Sequence, residues 1–448
     1  MKKVLIANRG EIAVRIIRTL KEMNIASVAV YSSGDKDSLH VALADEAYCI
    51  GGPKSSDSYL NIDNILQAAL MSKADAVHPG YGFLSETPEF AERTEALGLI
   101  FIGPSAETMA KMGNKSMARQ TMEKAGVPVI PGSDGIVESK DEVKKLAAEI
   151  SYPIVIKAVS GGGGKGMRFA HSDEDVNKLY DEAKKEAKTS FNDDRLYIEK
   201  YIPKARHIEI QVIGDGKGGA VHLFERDCTI QRNNQKLLEE APAVILSDKE
   251  RSDITETTRQ AVAKLNYRGA GTIEYLYVSA EKRFYFIEMN TRVQVEHTVS
   301  EEVTGMDIIK AQINVAFNSE IGFTQNEVKL TGHAIEARLN AEDPENRFMP
   351  SPGKIEKLHF GQGRNVRIDT HIYNGYSIPP YYDSMIAKVI VKAENREDAL
   401  YKLKLVLGET VIEPIKTNLD FQYYLLGHPK VSENDYDIKF IHTENIIE

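Results

Sequence analysis

Polar and apolar side chains alternate almost without error along FIEMNTRVQVEH, residues 286–297. Because successive side chains of a β-strand point to opposite faces, this pattern predicts a strand with one apolar and one polar face. The polar face would carry Glu288, Asn290, Arg292, Gln294 and Glu296. At roughly 3.3 Å per residue, a fully extended strand would place Glu296 about 26 Å from Glu288. The two ends of this strand could therefore serve two different ligands.

The N-terminal segment predicts a strand, a helix and a second strand. VLIAN precedes a helix from about Glu11, and the strand ASVAVYS follows. The helix would place these apolar residues on one face: Ile12, Ile16, Ile17, Leu20 and Met23. The order predicts a βαβ unit, but the turn ANRGE has one glycine where the dinucleotide fingerprint needs three. An NAD site is therefore not expected. His78, in the later segment HPGYGFLSE, is either a turn residue or part of a pocket.

Short strands dominate the rest of the chain. A helix ends at Gly126, and a hinge rich in proline and glycine follows it. YPIVIKAV, GMRFA and LYIEKYI predict the strands of a small α+β lid, and HIEIQVIG predicts another strand. GTIEYLYV and RFYFIEMN predict a hairpin across SAEK. Further strands are predicted at HAIEARL, KIEKLHF and AKVIVKA, and a helix at REDALYKLKLVL.

The composition is typical of an ordinary globular protein. Its 448 residues suggest about three domains, at roughly 150 residues per domain. The formal net charge of −10 argues against a general nucleic-acid or membrane-surface binder. Cys49 and Cys228 are the only cysteines, which excludes a disulfide framework and suits a reducing compartment. The charged N-terminus does not resemble a signal peptide, and no apolar run is long enough for a membrane helix. A cytoplasmic enzyme is expected.

A glycine-rich loop, SGGGGKGMR at residues 160–168, lies between two predicted strands. Successive glycines let the backbone approach an anion closely, although the loop lacks the Ser or Thr of a Walker A motif. We interpret it as a mobile phosphate cover; a hairpin tip without a ligand is the alternative. Lys157 precedes the loop in an apolar run, where a phosphate could pair it. Otherwise its ammonium reaches water at a sheet edge. Lys115, at a predicted helix start, is a weaker candidate.

The predicted hairpin brings two acidic residues face to face. Pairing its strands across SAEK puts Glu274 opposite, or nearly opposite, Glu288. Directly opposed like charges destabilise a sheet, and a shared divalent cation removes the conflict. Carboxylate oxygens suit Mg²⁺, and Asn290 could add a neutral oxygen. We therefore predict a magnesium–nucleotide site at this end of the polar face.

The far end of the polar face suits a second reactant. Arg292 could hold a small oxyanion while Glu296 accepts its proton. The alternative is a solvated strand face with an ion pair between Arg292 and Glu296.

Ten segments taken together resemble one known family. They are NRGEIAVRI, HPGYGFLSE, MGNKSMAR, GGGGKGMR, LYIEKYI, RHIEIQVIGD, RDCTIQR, QKLLEEAPA, IEMNTRVQVEH and EARLNAEDP. Their order and spacing, from residue 1 to about 440, closely resemble biotin carboxylase, an ATP-grasp enzyme. The resemblance implies a mixed α/β and α+β fold with three domains. These are a Rossmann-like domain at 1–114, an ATP-grasp domain at 115–330 with a mobile lid at about 131–203, and an α+β domain at 331–448.

The resemblance also implies a two-step reaction, in which ATP activates hydrogen carbonate to carboxyphosphate and the carboxyl group passes to biotin. By position, the implied nucleotide contacts are Lys115, Lys157, Gly163, Gly164, Glu199, Lys200, Tyr201, Ile202, His207, Asn234, Lys236, Glu274 and Glu288. The implied ligands of Mg²⁺ or Mn²⁺ are Glu274, Glu288 and Asn290. The implied bicarbonate pocket is Lys236, Arg292, Gln294, Val295 and Glu296, with Glu296 as the base. Arg338 would stabilise the biotin enolate, with Tyr81 beside it.

One segment departs from the family pattern. Arg-Arg-His-Gln-Lys is expected after the RDC segment, but the chain reads Arg232-Asn233-Asn234-Gln235-Lys236. Asn234 can donate a hydrogen bond to a nucleotide but cannot become cationic as a histidine can.

The resemblance further implies protein partners. No Ala-Met-Lys-Met tetrapeptide occurs, so biotin is expected on a separate biotin carboxyl carrier protein. Carboxyltransferase subunits and a homodimer are expected as well, within bacterial acetyl-CoA carboxylase and fatty acid synthesis. The alternatives are another ATP-grasp carboxylate–amine ligase, or the carboxylase subunit of a different acyl-CoA or pyruvate carboxylase.

Overall fold

The computed structural model describes residues 2–159 and 167–446, and the chain begins with a parallel sheet. Its strands are β1 (Lys3–Ile6), β2 (Ala26–Tyr31), β3 (Glu46–Cys49), β4 (Ala76–His78) and β5 (Ile100–Phe101). Their order is β3-β2-β1-β4-β5, and each neighbouring pair is parallel. The accompanying helices are α1 (Gly10–Glu22), α2 (Leu39–Leu43), α3 (Ile62–Met71), α4 (Pro88–Ala96) and α5 (Ala106–Gly113).

Helix α1 follows the amphipathic pattern of its sequence. Ile12, Ile16 and Leu20 are buried, whereas Arg18 is exposed. Gly10 begins the helix with a φ of +68°, a left-handed conformation that glycine adopts without steric cost. The apolar face of α1 shares one core cluster with side chains of β1, which confirms the predicted βαβ unit.

The next part of the chain is a small three-stranded unit preceded by a helix. Its elements are α6 (Lys115–Ala125), α7 (Lys140–Ile150), β6 (Ile154–Ala158), β7 (Met167–Ala170), α8 (Asp173–Phe191) and β8 (Leu196–Lys200). The strands are antiparallel in the order β7-β6-β8, and α7 and α8 share a core cluster with them. Helix α6 ends at Gly126, where φ is +98°. The predicted helix end and strands are confirmed here.

The remaining elements continue to residue 443. The strands are β9 (Arg206–Asp215), β10 (Ala220–Arg232), β11 (Gln235–Ala241), β12 (Arg268–Val278), β13 (Arg283–Asn290), β14 (His333–Asn340), β15 (Glu342–Asp343), β16 (Met349–Pro350), β17 (Gly353–Lys354), β18 (Lys357–His359), β19 (Val366–Thr370), β20 (Ser377–Ile378), β21 (Met385–Ala393) and β22 (Val411–Glu413). The helices are α9 (Asp248–Lys264), α10 (His297–Thr304), α11 (Ile308–Asn318), α12 (Arg396–Glu409), α13 (Leu419–Leu426), α14 (Pro429–Ser432) and α15 (Phe440–Thr443).

An eight-stranded antiparallel sheet organises this part of the molecule, in the order β13-β12-β9-β10-β11-β14-β21-β19. The predicted hairpin is confirmed as β12 and β13, and Glu274 lies directly opposite Glu288. Strand β11 pairs with β14, so the sheet continues across residue 330, where a domain boundary is expected. Among the described helices, none has both the length and the apolar character required to cross a membrane.

The predicted strand through residues 286–297 is wrong beyond Asn290. Strand β13 ends there, a turn follows, and α10 begins at His297 with Glu296 at its N-cap. The backbone N–H of Thr291 donates to the Glu86 carboxylate at 3.0 Å instead of to a neighbouring strand. Alternation correctly predicts that Val293 is buried, but a strand also needs a hydrogen-bonding partner along its whole length.

The predicted strand KIEKLHF is present only as two short pieces. Lys354 pairs with Ser377, whereas Lys357 pairs with Glu413 of β22. The segment therefore changes partner between these two lysines, and one continuous strand cannot form.

Candidate active site

A cavity of about 1370 Å³ lies where the N-terminal sheet, the small unit and the large sheet meet. Most of the predicted site residues line it: Tyr81, Lys115, Lys157, His207, Asn234, Lys236, Glu274, Glu288, Asn290, Arg292, Gln294, Val295, Glu296 and Arg338. Four more, Glu199 to Ile202, are not part of this lining. Gly163 and Gly164 lie outside the described residues.

The Lys236 ammonium group lies among three carboxylates in this cavity. Its Nζ is 2.6 Å from Glu209, 3.1 Å from Glu274 and 2.5 Å from Glu296. Burial disfavours the charged amine, but the carboxylates outweigh burial and hold the pKa of Lys236 well above its usual value. Burial raises the pKa of the Glu296 carboxyl group, but the nearby charge of Lys236 opposes burial, and the net effect is a lowered pKa. At neutral pH Lys236 is therefore cationic and Glu296 anionic.

Strand β9 supplies the predicted polar face of HIEIQVIG. Ile208, Ile210 and Val212 are buried in a core cluster on one side, and His207 and Glu209 lie on the other. The Nε2 atom of His207 is 3.2 Å from Glu274. Burial opposes a charged imidazole, but Glu274 outweighs it and raises the pKa of His207 to about 9. The face therefore offers an imidazolium to an anionic ligand at neutral pH.

The facing carboxylates Glu274 and Glu288 fit a divalent cation. Burial, followed by repulsion from Glu274, raises the pKa of Glu288. That repulsion is what a shared cation would remove, and two carboxylates with an amide oxygen are a donor set that suits Mg²⁺. The Asn290 amide lies at the same place: its Nδ2 donates to Glu274 at 2.9 Å, and its Oδ1 accepts from Arg292 at 2.9 Å. These residues could hold the metal ion.

Arg226 is a buried part of the site that the sequence reasoning missed. It is completely buried and donates to Glu209 at 2.6 Å and to the side-chain oxygen of Gln294 at 2.7 Å. Gln294 in turn donates to Glu274 at 2.8 Å. Arg226 therefore fixes two strands and the turn after β13 relative to one another. The signal was the arginine that opens RDCTIQR, because a charge buried within a strand requires a partner.

Arg292 has a different partner from the one considered from the sequence. Its Nε donates to Glu86 at 2.8 Å, and no contact with Glu296 is recorded among the described residues. Glu86 closes the segment HPGYGFLSE, and the sequence reasoning gave it no role. His78, at the start of that segment, is completely buried and accepts from the Gly80 N–H at 3.1 Å, as a turn residue does.

Arg338 is the arginine that contacts Glu296. Its side chain lies 2.5 Å from Glu239 and 3.0 Å from Glu296. Burial disfavours the charge, but Glu239 and Glu296 outweigh burial and raise the pKa of Arg338 above its usual value. Tyr81 also lines the cavity, and its hydroxyl group donates a hydrogen bond to Glu11. A fixed cation and an aromatic ring therefore both border the cavity.

Two lysines, from α6 and from the small unit, also line the cavity. Lys115 begins α6 after the N-cap Asn114, and Lys157 on β6 donates to Glu199 on β8. Lys200 contacts Glu281, and Tyr201 accepts a hydrogen bond from Lys439 at 2.7 Å. Ile202 packs against Leu276 and Ile130, which do line the cavity. The segment 199–202 therefore adjoins the cavity lining, through Ile202 at one end and through the contact of Glu199 with Lys157 at the other.

Asn234 occupies a tight turn between β10 and β11. Asn233 has a φ of 50° and Asn234 a φ of 66°, so the two residues form a turn with both central residues left-handed. Asparagine is favoured in such turns. The departure from the family pattern is therefore compatible with the hairpin that positions Lys236.

Comparisons with known proteins agree with this geometry. A family model described as biotin carboxylase, N-terminal domain, matches residues 1–109. One described as carbamoyl-phosphate synthase L chain, ATP binding domain, matches residues 114–323, and biotin carboxylase C-terminal domain matches residues 336–443.

Individual relatives match over the whole chain. Biotin carboxylase 1 of Bacillus subtilis is 51% identical over 447 residues, covering 100% of this chain and 99% of that protein. The structure of a biotin carboxylase complex with beta-gamma-ATP from Campylobacter jejuni is 50% identical, with a TM-score of 0.90, and the match covers 99% of this chain and 98% of that one.

A third relative has a bound anion. The biotin carboxylase domain dimer of Hydrogenobacter thermophilus 2-oxoglutarate carboxylase, with MgADP, ADP and bicarbonate, is 42% identical with a TM-score of 0.90. The match covers 100% of this chain and 98% of that one. The resemblance read from the sequence is confirmed, and the chain belongs to the biotin carboxylase family of ATP-grasp ligases.

Proposed function

We propose that this enzyme carboxylates biotin carried on a separate biotin carboxyl carrier protein, as the first half-reaction of acetyl-CoA carboxylase in fatty acid synthesis. Biotin carboxylase activity follows from family membership, and with it the use of ATP, Mg²⁺ and biotin. The observation that carries the residue roles is the contact of Glu296 with both Lys236 and Arg338.

The nucleotide binds beside the basic residues that line the cavity. Lys115, Lys157, His207 and Lys236 supply positive charge to the phosphates, and phosphoryl transfer depends mainly on such positioning and charge neutralisation. Gly163 and Gly164, which lie outside the described residues, are assigned to the phosphates by the resemblance, residues 199–202 to the base, and Asn234 to a further hydrogen bond with the nucleotide. Glu274, Glu288 and Asn290 are the residues that would hold Mg²⁺ or Mn²⁺, which offsets phosphate charge when bound.

Hydrogen carbonate binds beside Glu296. Arg292, Lys236, Gln294 and Val295 hold the anion while Glu296 accepts its proton, for which Glu296 must be ionised. An oxygen of the deprotonated anion attacks the terminal phosphorus of ATP and ADP leaves, which gives carboxyphosphate. Biotin binds near Arg338 and Tyr81. A guanidinium group stays charged at any working pH, which suits stabilisation of the biotin enolate.

The wider assembly is also a proposal. The chain forms a homodimer and works with the carrier protein and with carboxyltransferase subunits. It divides into domains at residues 1–114, 115–330 and 331–448, with a lid at about 131–203. A cytoplasmic location would keep Cys49 and Cys228 reduced.

Measuring ATP hydrolysis with and without hydrogen carbonate, and then with free biotin, tests this proposal. Turnover should be negligible without hydrogen carbonate and should increase when biotin is added. ATP hydrolysis that ignores hydrogen carbonate but requires an amine substrate would contradict the proposal and favour a carboxylate–amine ligase.

A second candidate is the carboxylase component of a 2-oxo acid carboxylase. The 42% identity to the 2-oxoglutarate carboxylase domain favours it as an alternative destination for the carboxyl group. The two are separated by supplying carboxylated carrier to purified carboxyltransferases. Transfer to acetyl-CoA supports the acetyl-CoA carboxylase proposal, and transfer only to a 2-oxo acid contradicts it.

A further inference from the structure

Lys388 is a completely buried lysine on β21. It lies opposite Arg338 in the register between β14 and β21. A lysine side chain is rarely buried without a compensating partner, because removing an ammonium group from water is costly. The contacts of Lys388 therefore indicate what the chain gains by burying it.

The Lys388 ammonium group reaches the turn that carries Glu296. Its Nζ donates to the backbone carbonyl oxygen of Val295 at 2.6 Å. The peptide group containing this carbonyl joins Val295 to Glu296, immediately before α10 begins. Lys388 thus holds the backbone next to Glu296, the proposed base, although Lys388 does not itself line the cavity.

Two carboxylates keep the ammonium group charged and in place. Nζ is 3.3 Å from Glu11 and 4.0 Å from Asp369. Burial disfavours the charge, but these carboxylates and Glu336 outweigh it and raise the pKa of Lys388. Glu11 also accepts a hydrogen bond from the hydroxyl group of Tyr81, which borders the proposed biotin site. Lys388 therefore contacts the turn that carries Glu296 and, through Glu11, is linked to Tyr81 beside the proposed biotin site.

We propose that Lys388 is a positioning residue that holds the Val295–Glu296 peptide where Glu296 can accept the proton of hydrogen carbonate. The inference rests on the proposed function. A displacement of about 1 Å at a reacting group can cost on the order of 10²-fold in rate, so one hydrogen bond to this turn has a measurable effect. Three of the residues proposed to contact the phosphates, Lys115, Lys157 and His207, lie on other elements, so nucleotide binding is expected to change little.

The test uses Lys388→Met, which removes the charge and the hydrogen bond but keeps the length of the side chain. The KM for hydrogen carbonate should rise roughly tenfold, with a lower kcat, while the KM for ATP stays within about twofold. A merely structural role would reduce the fraction of active enzyme and leave both KM values unchanged.

Lys392→Met is the matched control. Lys392 is on the same strand and donates to the backbone carbonyl of Glu302 at 2.6 Å, away from the cavity lining. Its KM for hydrogen carbonate should equal that of the unmodified enzyme. Absence of hydrogen carbonate dependence in the unmodified enzyme would contradict the proposed function, and that result is distinct from a failure of this inference.

A second variant guards against loss of folding. Lys388→Met leaves Glu11 without its cation, so a double variant, Lys388→Met with Glu11→Gln, removes both charges while the new amide oxygen can still accept from Tyr81. The same rise in KM for hydrogen carbonate is expected. A KM within about twofold of the unmodified enzyme overturns the proposal, as does failure of both variants to fold, since Lys388 would then serve folding itself.

Discussion

Glu296 has a cation at each of its carboxylate oxygens. Lys236 donates to Oε1 at 2.5 Å and Arg338 donates to Oε2 at 3.0 Å. Both cations favour the ionised form of Glu296. Before bound hydrogen carbonate can transfer its proton to Glu296, the substrate must replace one of these two contacts. The pair of cations therefore keeps Glu296 ionised and also prevents a negative charge from standing alone in a buried site.

Replacing Glu296 by glutamine tests its role as the base. Glu296→Gln should lower kcat by on the order of 10²–10⁴, the usual contribution of a general base, while ATP binding persists. Steady-state kinetics and nucleotide titration measure the two effects. Glu320→Gln, at an exposed position, is the control and should retain full activity. Full activity in Glu296→Gln would remove the base assignment.

Replacing Arg338 tests its proposed contact with the biotin enolate. Arg338→Ala should reduce biotin carboxylation more than it reduces the ATP hydrolysis seen with hydrogen carbonate alone, because the guanidinium is proposed to stabilise the biotin enolate. Both rates are measured on one preparation. Since the variant leaves buried Glu239 unpaired, its melting temperature is compared with that of Arg338→Lys, which keeps the charge. Equal losses in both reactions would argue against an enolate-specific role.

At the scale of elements, the hairpin of β12 and β13 was predictable and the end of β13 was not. Alternation and loop length predicted that Glu274 lies opposite, or nearly opposite, Glu288, and a register shift between Glu274 and Tyr275 makes the two directly opposed. The same alternation continues past Asn290, but the backbone there bonds to Glu86, 205 positions away in the sequence. Arg292 likewise bonds to Glu86, 206 positions away, and Arg226 bonds to Gln294, 68 positions away. Local pattern determines which face is buried, whereas distant partners determine where a strand ends.

The facing carboxylates give a prediction about metal dependence. Glu288→Gln should raise the Mg²⁺ concentration for half-maximal ATP hydrolysis at least about tenfold, because a metal ligand is lost. In the presence of EDTA the melting temperature should not fall, since repulsion by Glu274 disappears. Glu413→Gln, at an exposed position on β22, is the control. An unchanged Mg²⁺ requirement would contradict the metal assignment.

At the scale of the whole molecule, the cavity draws on every part of the chain. Tyr81 comes from the segment after β4, Lys157 from the small unit, Lys236 from β11 and Arg338 from β14, beyond residue 330. These residues could be predicted from the sequence because each lies within a short motif. The buried contacts of Arg226 and Lys388 that hold the parts together were not predicted, because each depends on residues far away in the chain.

The proposed reaction requires that hydrogen carbonate itself attacks ATP in this cavity. The most direct measurement uses hydrogen carbonate labelled with oxygen-18 in unlabelled water and short reaction times, followed by mass analysis of the phosphate released. An oxygen from hydrogen carbonate should appear in the phosphate, because the attacking oxygen stays bonded to phosphorus when carboxyphosphate breaks down. Phosphate that has three oxygens from ATP and a fourth that comes only from water would show direct hydrolysis of ATP and contradict this mechanism.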